Sequence, residues 1–347
     1  MSSPVTIALD AMGGDYGPES VIPGAALVLK KHPGLRFQIY GQEDRIWPLL
    51  DKYADLKAVS RVVHTDKVIR GDEKPSAALR ASKGSSMRMA IEAVKEGHAD
   101  AVVSAGNTGA LMALAKVVLK PLPGIHRPAL ASTFPTFKGE AVMLDLGANV
   151  LVDAENLVQF AVLGSVFAKV YRDIPTPSVG LLNVGSEEMK GPDHVRSAAA
   201  MLSEIDFPGR YYGFVEGDDI TKGTVDVIVS DGYAGNIALK AAEGVGKLAD
   251  HLFRKYMLGH PLGVLGALIA FFPLKRLKGR IDPRRHNGGV FLGLNGLCVK
   301  SHGGCDALAF SSALVLAVKL AEQNYIERVA RHIENLTEQE SFLSRDL

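Results

Sequence analysis

The chain has 347 residues, of which 47% are hydrophobic and 22% are charged, and its 39 Lys and Arg residues nearly balance 38 Asp and Glu residues. This composition is typical of a globular protein with a large core, and the near-zero net charge argues against a dedicated nucleic-acid binder. Two cysteines exclude a disulfide framework. The first residues lack a basic region followed by an apolar segment, and no apolar run reaches the roughly 18–20 residues of a membrane span. We therefore expect neither a signal peptide nor a transmembrane helix.

Five apolar runs recur along the chain, and a loop rich in Gly, Asn, Asp or Ser follows each of them. The runs occupy residues 5–9, 101–103, 141–144, 179–182 and 225–229. Helical spacing follows most of the loops and is clearest over residues 237–253. Repeats of apolar strand, loop and amphipathic helix are typical of an α/β protein with a mostly parallel sheet. Because the carboxyl ends of parallel strands meet at one edge of a sheet, we expect the five loops to form one shared site.

The first loop reads Asp-Ala-Met-Gly-Gly-Asp over residues 10–15. Its carboxylates could hold a Lys or Arg, bind a metal or act as a base, although paired acids often cap the next helix. Asp10, Gly13 and Gly14 are candidate residues for binding phosphate or substrate. Since no second carboxylate pair follows at fixed spacing, we expect no metal site.

The second loop, Ser-Ala-Gly-Asn-Thr-Gly over residues 104–109, opens a helix and resembles a phosphate cradle. Gly106 and Gly109 allow an oxyanion to approach the backbone, while Ser104, Asn107 and Thr108 add side-chain donors. The loop has no following Gly-Lys-Ser/Thr and does not match G-x-G-x-x-G, so neither a Walker A loop nor a dinucleotide site is indicated. The alternative is a helix cap formed by Asn107 or Thr108.

The other three loops offer a cation, amides and carboxylates. Lys190 could hold phosphate or stabilise an oxyanion, and Asn236 could donate to a thioester oxygen as negative charge develops. Asp145, Asn149 and Asp231 are further candidates for binding substrate. The alternatives are a solvated surface lysine for Lys190 and helix capping for Asn236.

Residues 255–287 interrupt the regular pattern and are interpreted as an arm inserted into a single domain of residues 1–337. A segment at 261–274 is apolar on nearly all sides, and a basic cluster follows it. This combination suits an anionic membrane surface or an acidic protein, and a buried core helix or dimer contact is the alternative. The candidate contact residues are Leu265, Leu268, Phe271, Phe272, Lys275, Arg276, Arg284 and Arg285. One or two amphipathic helices are expected over 306–336, and residues 338–347 form a polar tail.

Five loop motifs together resemble the bacterial phosphate acyltransferase family of phospholipid synthesis. The motifs lie at residues 10–15, 74–80, 104–109, 145–149 and 230–236, and the resemblance runs in order from about residue 5 to about residue 330. The family transfers a long-chain acyl group from acyl carrier protein (ACP) to inorganic phosphate, without a cofactor. The resemblance places the two catalytic residues at Lys190 and Asn236.

The resemblance also implies a fold, partners and a location. The fold is a three-layer α/β/α Rossmann-like sheet with a protruding helical arm, as in isocitrate and isopropylmalate dehydrogenases. The implied protein is a cytoplasmic homodimer at the inner face of the cell membrane, and its acyl-phosphate feeds a glycerol-3-phosphate acyltransferase. The rival hypotheses are a phosphotransacetylase-like enzyme using acyl-CoA, a dehydrogenase of the same fold, and a non-catalytic membrane scaffold. Three possible zinc ligands, at Cys298, His302 and Cys305, lack a C-x-x-C pair and do not indicate a metal.

Overall fold

The computed structural model describes residues 4–343, and it describes side chains throughout this range except at 277, 278, 280, 281, 283, 286 and 335–343. The predicted polar tail therefore lies partly outside the described residues, at 344–347. Within the described range, eleven strands form one sheet. The strands are β1 (Thr6–Asp10), β2 (Arg36–Gly41), β3 (Ser60–His64), β4 (Ala101–Ser104), β5 (Ala129–Thr136), β6 (Gly139–Leu144), β7 (Ser178–Leu182), β8 (Arg210–Val215), β9 (Val227–Val229), β10 (Gly289–Leu292) and β11 (Leu297–Lys300).

Fourteen α-helices accompany the strands in the described range. Two short irregular helical segments, Arg254–Leu258 (a π-helical turn) and Pro283–His286 (a 3₁₀ turn), flank α11 and α12. The α-helices are α1 (Pro18–Leu29), α2 (Glu43–Leu50), α3 (Ala54–Ala58), α4 (Pro75–Ala81), α5 (Ser86–Lys95), α6 (Thr108–Val118), α7 (Ala154–Arg172), α8 (Asp193–Glu204), α9 (Asp219–Lys222), α10 (Gly232–Phe253), α11 (Pro261–Ile269), α12 (Phe271–Ile281), α13 (Ala307–Glu322) and α14 (Tyr325–Leu343).

Short polar side chains determine where four of these helices begin. Asn107, Asp153, Asp231 and Asp306 precede α6, α7, α10 and α13, and each accepts a hydrogen bond from a backbone N–H three residues further on. Such a cap satisfies one of the amides that lack an intrahelical partner and stabilises a helix by about 1 kcal/mol. The predicted amphipathic helices after residue 306 are confirmed as α13 and α14.

The order of the strands is β3-β2-β1-β4-β11-β10-β5-β6-β9-β7-β8. Neighbouring strands are parallel except at three adjoining pairs, β11–β10, β10–β5 and β5–β6. The predicted mostly parallel sheet is therefore confirmed. The three reversals divide it into two parallel blocks that run in opposite directions, one containing β1–β4 with β11 and the other containing β6–β9.

Apolar side chains alternate between the two faces of the sheet, as the pleat of a strand requires. Along β1, Ile7 and Leu9 join the core beneath α1, α7 and α13, whereas Ala8 joins a second core beneath α5 and α6. Helices therefore cover both faces, and the central strands of each block are buried on both sides. This double burial explains why their sequences are continuous apolar runs.

The segment from α10 to α12 is mostly exposed. Gly232 and Gly235 are the buried residues of α10, and α11 has none. Apolar side chains such as Val245 and Leu248 face solvent. Among the helices within residues 4–343, none combines the length and apolar character needed to cross a bilayer.

Candidate functional site

Three neighbouring parallel strands end in register on polar side chains. Asp10, the last residue of β1, pairs with Ser104 of β4, and Ser104 pairs with Lys300 of β11. These residues follow Leu9, Val103 and Val299, so their side chains project from the opposite face, towards α5 and α6. We call Asp10, Ser104 and Lys300, with the loops that follow them, the β1–β4 cluster.

Asp10 is buried and is held by two serine hydroxyl groups. Ser86 donates to Oδ1 at 2.7 Å, and Ser104 donates to Oδ2 at 2.6 Å. Burial raises the pKa of Asp10, although these hydrogen bonds act in the opposite direction. The carboxylate therefore organises the loops. Gly13 approaches the carboxylate so closely that a Cβ there would lie 2.7 Å from Asp10 Oδ2, and it would also lie 2.6 Å from the amide nitrogen of Gly106.

The predicted phosphate cradle is partly occupied by its own side chains. Gly106 donates its N–H to Ser104 Oγ at 3.0 Å, and Asn107 Oδ1 accepts from Ala110 N at 2.9 Å. Asn107 is thus the helix cap. Among the described residues, the amides of Thr108 and Gly109 have no hydrogen-bond partner, so they are the donors that remain available to an anion at the start of α6.

Lys300 is a member of this cluster that the sequence analysis did not identify. It is only 9% exposed, and its ammonium group contacts the backbone carbonyl oxygens of Ala105, at 3.4 Å, and Ser301. Burial lowers the pKa of Lys300 to about 8. The signal was present in the sequence, because Leu297–Val299 is a short apolar run followed by a Gly-containing loop.

The lowered pKa of Lys300 predicts a specific pH dependence of stability. Below pH 8 the lysine is charged in both states, and the folded state bears the full cost of burying the charge. Between pH 8 and its ordinary pKa of 10.5, the unfolded chain binds more protons, so the free energy of unfolding rises with pH. Relative to Lys300→Met, wild-type stability should rise by up to about 3 kcal/mol over this interval in urea titrations. Parallel pH curves for the two proteins would contradict a lowered pKa.

The second group of predicted residues lies at the carboxyl ends of β6, β7 and β9, and we call it the β6–β9 cluster. It consists of Asp145, Asn149, Lys190, Asp231 and Asn236. Asp145 is its buried centre. Its Oδ1 accepts from the amides of Leu130 and Ala148, both at 2.9 Å. Its Oδ2 accepts from the backbone and side-chain amides of Asn149, at 2.6 and 2.9 Å. Burial raises the pKa of Asp145 against these hydrogen bonds. Because both oxygens are occupied, Asp145 shapes the loop that carries Asn149.

Asn236 lies in the second turn of α10, and it does not cap the helix. Asp231 is the cap, since its Oδ1 accepts from Ala234 N at 2.7 Å. The Asn236 side chain is exposed and packs against Gly147, where a Cβ would lie 3.3 Å from that of Asn236. Its amide has no hydrogen-bond partner among the described residues. The helix therefore presents an uncommitted amide donor beside the 145–149 loop.

Lys190 lies at the same sheet edge, on the loop after β7. Its side chain is 52% exposed, and Nζ lies 3.4 Å from Glu187 Oε1. The buried Asn183 side chain donates to the Lys190 carbonyl at 2.9 Å and holds the loop in place. His194, a residue of α8 that the sequence analysis missed, has its Nε2 atom 3.8 Å from Asp231 Oδ2, and this buried atom has no hydrogen-bond partner among the described residues. Since β7 and β9 are adjacent and parallel, Lys190, on the loop after β7, and Asn236, on the helix after β9, follow the carboxyl ends of neighbouring strands.

The expectation that all five loops share one sheet edge is wrong. The β1–β4 cluster and the β6–β9 cluster lie at opposite edges, because three antiparallel pairings separate the two parallel blocks. Five strand spacings separate β4 from β9, which corresponds to about 24 Å across the sheet. One phosphate ion therefore cannot contact the Ser104–Gly109 loop and Asn236 of the same chain together.

The predicted contact residues of the arm have different surroundings. Leu265, Leu268, Phe271 and Phe272 are exposed, and the Phe272 side chain reaches 75% exposure. Lys275, Arg276 and Arg285 are exposed as well. Arg284 is also exposed, at 43% of its side chain, but it donates to Asp282 at 2.7 Å and to Asp306 at 2.9 Å. Two carboxylates therefore compensate its charge within the chain.

The fold is shared with solved structures of several enzymes. A phosphotransacetylase from Streptococcus pyogenes is 20% identical with a TM-score of 0.61, and EutD phosphotransacetylase from Staphylococcus aureus is 17% identical with a TM-score of 0.60. Both alignments cover 92% of this chain and 94% of the other. A 4-hydroxythreonine-4-phosphate dehydrogenase from Klebsiella pneumoniae is 15% identical with a TM-score of 0.52, covering 92% and 98%. The protein is thus an α/β protein with the fold of the phosphotransacetylases.

Sequence comparison then defines the family. Residues 5–328 match the family described as "Fatty acid synthesis protein", and the chain belongs to this family. Relatives named phosphate acyltransferase from Parvibaculum lavamentivorans and Rhodospirillum centenum are each 53% identical. The alignments cover 97% of this chain and 94% and 95% of the respective relatives. The resemblance drawn from the five loop motifs is confirmed.

Proposed function

We propose that the protein transfers a long-chain acyl group from an ACP thioester to inorganic phosphate, releasing acyl-phosphate and free ACP. The observation that carries this proposal is the near-full-length match to relatives named phosphate acyltransferase. The β6–β9 cluster supports it chemically, because a cation (Lys190) and an amide donor without a hydrogen-bond partner among the described residues (Asn236) follow the carboxyl ends of the adjacent strands β7 and β9. The product would supply an acylation of glycerol-3-phosphate in phospholipid synthesis.

The reaction needs orientation and charge stabilisation more than an activated nucleophile. Phosphate is a competent oxygen nucleophile at neutral pH, and a thiolate leaves readily. As the carbon–oxygen bond forms and the carbon–sulfur bond breaks, negative charge develops on the thioester oxygen. Asn236 donates to that oxygen, and Lys190 neutralises charge on the phosphate or the oxyanion. No cofactor or metal takes part in this mechanism.

We place the remaining predicted residues in supporting roles. Asp145, Asn149 and Asp231 position the loops around Asn236 through the hydrogen bonds described above. Asp10, with the glycine pair at 13–14, shapes the opposite cluster, where the amides of Thr108 and Gly109 offer a second place for an anion. The chain is a Rossmann-like three-layer domain of the isocitrate/isopropylmalate dehydrogenase type over residues 1–337.

The segment 255–287 is proposed to be an arm that contacts an anionic membrane surface. Exposed apolar side chains of α11 and α12 adjoin the exposed cations Lys275, Arg276 and Arg285, a combination that favours an anionic bilayer. The same cations would suit acidic ACP. We propose a cytoplasmic homodimer that associates peripherally with the inner face of the cell membrane, next to a glycerol-3-phosphate acyltransferase.

Charging the apolar side of the arm should weaken membrane association. The double variant Leu268→Asp/Phe272→Asp is expected to lower partitioning onto phosphatidylglycerol vesicles at least about tenfold, because each side chain contributes buried apolar area. The control Val117→Asp changes another exposed apolar residue, on α6, which is 52% exposed. Unchanged partitioning of the double variant would contradict lipid contact. A loss confined to acyl-ACP affinity would assign the arm to ACP.

The activity is tested directly with palmitoyl-ACP in the presence and absence of inorganic phosphate. Free thiol and acyl-phosphate are followed together, and matched, phosphate-dependent formation of both supports the proposal. Turnover with acyl-CoA but not with acyl-ACP would instead favour the phosphotransacetylase-like alternative, which the distant fold neighbours leave open. Thiol release without acyl-phosphate would refute both.

A further inference from the structure

We propose that Lys300 is the centre of a second binding subsite, at the β1–β4 cluster, for a phosphate group of one of the substrates. The inference rests on the proposed function, since that reaction brings phosphate to the protein in two forms. One form is inorganic phosphate, and the other is the phosphodiester that links the pantetheine arm to ACP. The subsite is separate from Lys190 and Asn236, which lie at the opposite edge of the sheet.

The ammonium group of Lys300 is buried, and one of its N–H donors has no acceptor among the described residues. An ammonium group has three N–H donors, and Lys300 uses two of them on the carbonyl oxygens of Ala105 and Ser301. Both acceptors are neutral. A lysine that only linked the two loops by hydrogen bonds would not need its charge. The third N–H donor of Lys300 is available to a ligand oxygen.

Lys300 also lacks a direct counter-ion. Among the described side chains, no carboxylate oxygen lies within 4.0 Å of its Nζ. The titratable groups around it are Asp10, Asp15, Cys298 and Cys305. Asp10 already accepts from two serine hydroxyl groups, Asp15 is exposed, and both cysteines are buried. Burying a charge is costly unless it is paired, so an anionic ligand would stabilise the protonated lysine.

The position of Lys300 in the sheet is suited to ligand binding. β11 is the last strand of the first parallel block, and the next strand, β10, runs in the opposite direction. Ligands of α/β sheets bind at the carboxyl ends of strands where the strand order reverses, which here is between β1 and β4, and β4 is the neighbour of β11. The Ala105 carbonyl that Lys300 contacts lies just before α6, whose amides at Thr108 and Gly109 have no partner among the described residues. A cation and the amino end of a helix therefore meet at one place.

Binding is measured by calorimetry without turnover, so failure of the subsite and failure of the proposed reaction are distinguishable. Inorganic phosphate is titrated into the wild type and Lys300→Met. In a second experiment, the binding of 4′-phosphopantetheine is compared with that of pantetheine, which lacks the phosphate. We expect Lys300→Met to weaken the binding of one of the two phosphate ligands at least about tenfold. The ligand whose affinity falls is the one that the subsite binds. The control Lys319→Met removes another lysine that donates to a backbone carbonyl, that of Tyr171 at 2.6 Å, and should bind as the wild type does.

The pH dependence of wild-type phosphate affinity gives a second measurement, which does not require Lys300→Met to fold. The charge on phosphate is constant above pH 8, so a loss of wild-type affinity between pH 8 and 9.5 reports deprotonation of Lys300, whose pKa is about 8. Lys300→Arg keeps its charge and should abolish this loss. Wild-type affinity for both ligands in Lys300→Met, or affinity that does not change over this pH range, would overturn the proposal.

Discussion

Replacing Asn236 by alanine is expected to lower kcat about 10²–10³-fold, which corresponds to about 3 kcal/mol in the activation barrier. The amide is exposed, has no hydrogen-bond partner among the described residues, and ends a side chain that packs against Gly147. It can therefore donate to an oxyanion without first breaking an internal hydrogen bond. The measurement is steady-state acyl-phosphate formation from palmitoyl-ACP. Because the lost donor acts on the transition state, kcat should fall while the KM for palmitoyl-ACP changes little.

Lys190→Ala is expected to have an effect of similar size, and the chain offers a matched control for it. Lys222 has the same 52% side-chain exposure as Lys190, and it is also paired with a carboxylate three residues earlier. It lies on α9, which leads into the amino end of β9 and so occupies the opposite edge of the sheet. Lys222→Ala should retain full turnover. If Lys190→Ala and Asn236→Ala both fold and turn over at the wild-type rate, the β6–β9 cluster is not the site of acyl transfer.

Removing the Asp145 carboxylate should produce the largest loss of stability. Asp145→Ala leaves the backbone amides of Leu130, Ala148 and Asn149 without their acceptor, and the Asn149 side chain keeps only its hydrogen bond to the Pro128 carbonyl. Leaving several buried donors unpaired should lower the free energy of unfolding by about 4 kcal/mol, measured by urea denaturation. Asp145→Asn keeps one acceptor oxygen and should lose roughly half as much.

A second aspartate calibrates this measurement. Asp153 caps α7 and accepts one hydrogen bond, from Asn156 N at 2.8 Å. Asp153→Ala should cost about 1 kcal/mol, the usual effect of losing a helix cap. An equal loss in Asp145→Ala and Asp153→Ala would show that the four hydrogen bonds to Asp145 do not act together.

Local sequence patterns predicted five buried strands and missed the other six, among them the buried strands β10 and β11. β1, β4, β6, β7 and β9 are apolar because they are covered on both faces, and a run of apolar residues is visible without knowledge of the fold. The strands that were missed include β8, at one end of the sheet, where half-exposed residues such as Tyr212 interrupt the pattern. β10 and β11 have four residues each and follow the irregular segment 255–287.

The helix caps show a similar limit. Polar residues at 107 and 236 were expected near helix starts, and Asn107 was one of two named alternatives. Asp231, not Asn236, caps α10, because the helix begins one turn earlier than an apolar pattern starting at Ile237 indicates. A pattern of apolar residues locates a helix well but places its first turn poorly, since that turn contains Gly232, Gly235 and other residues without a clear periodicity.

By itself, the sequence determined the class of fold, the family and the loops that carry polar side chains, because each of these depends on residues that are close together in the chain. Only the tertiary structure decided how those loops are grouped. The connection between β5 and β6 contains just residues 137 and 138, so the chain turns back on itself there, and the strands of the second block run opposite to those of the first. The direction in which a strand runs within a sheet cannot be read from its run of apolar residues. It nevertheless separates the Ser104–Gly109 loop from Asn236, and it leaves Lys300 beside the point of reversal, where its burial and its lack of a counter-ion become apparent.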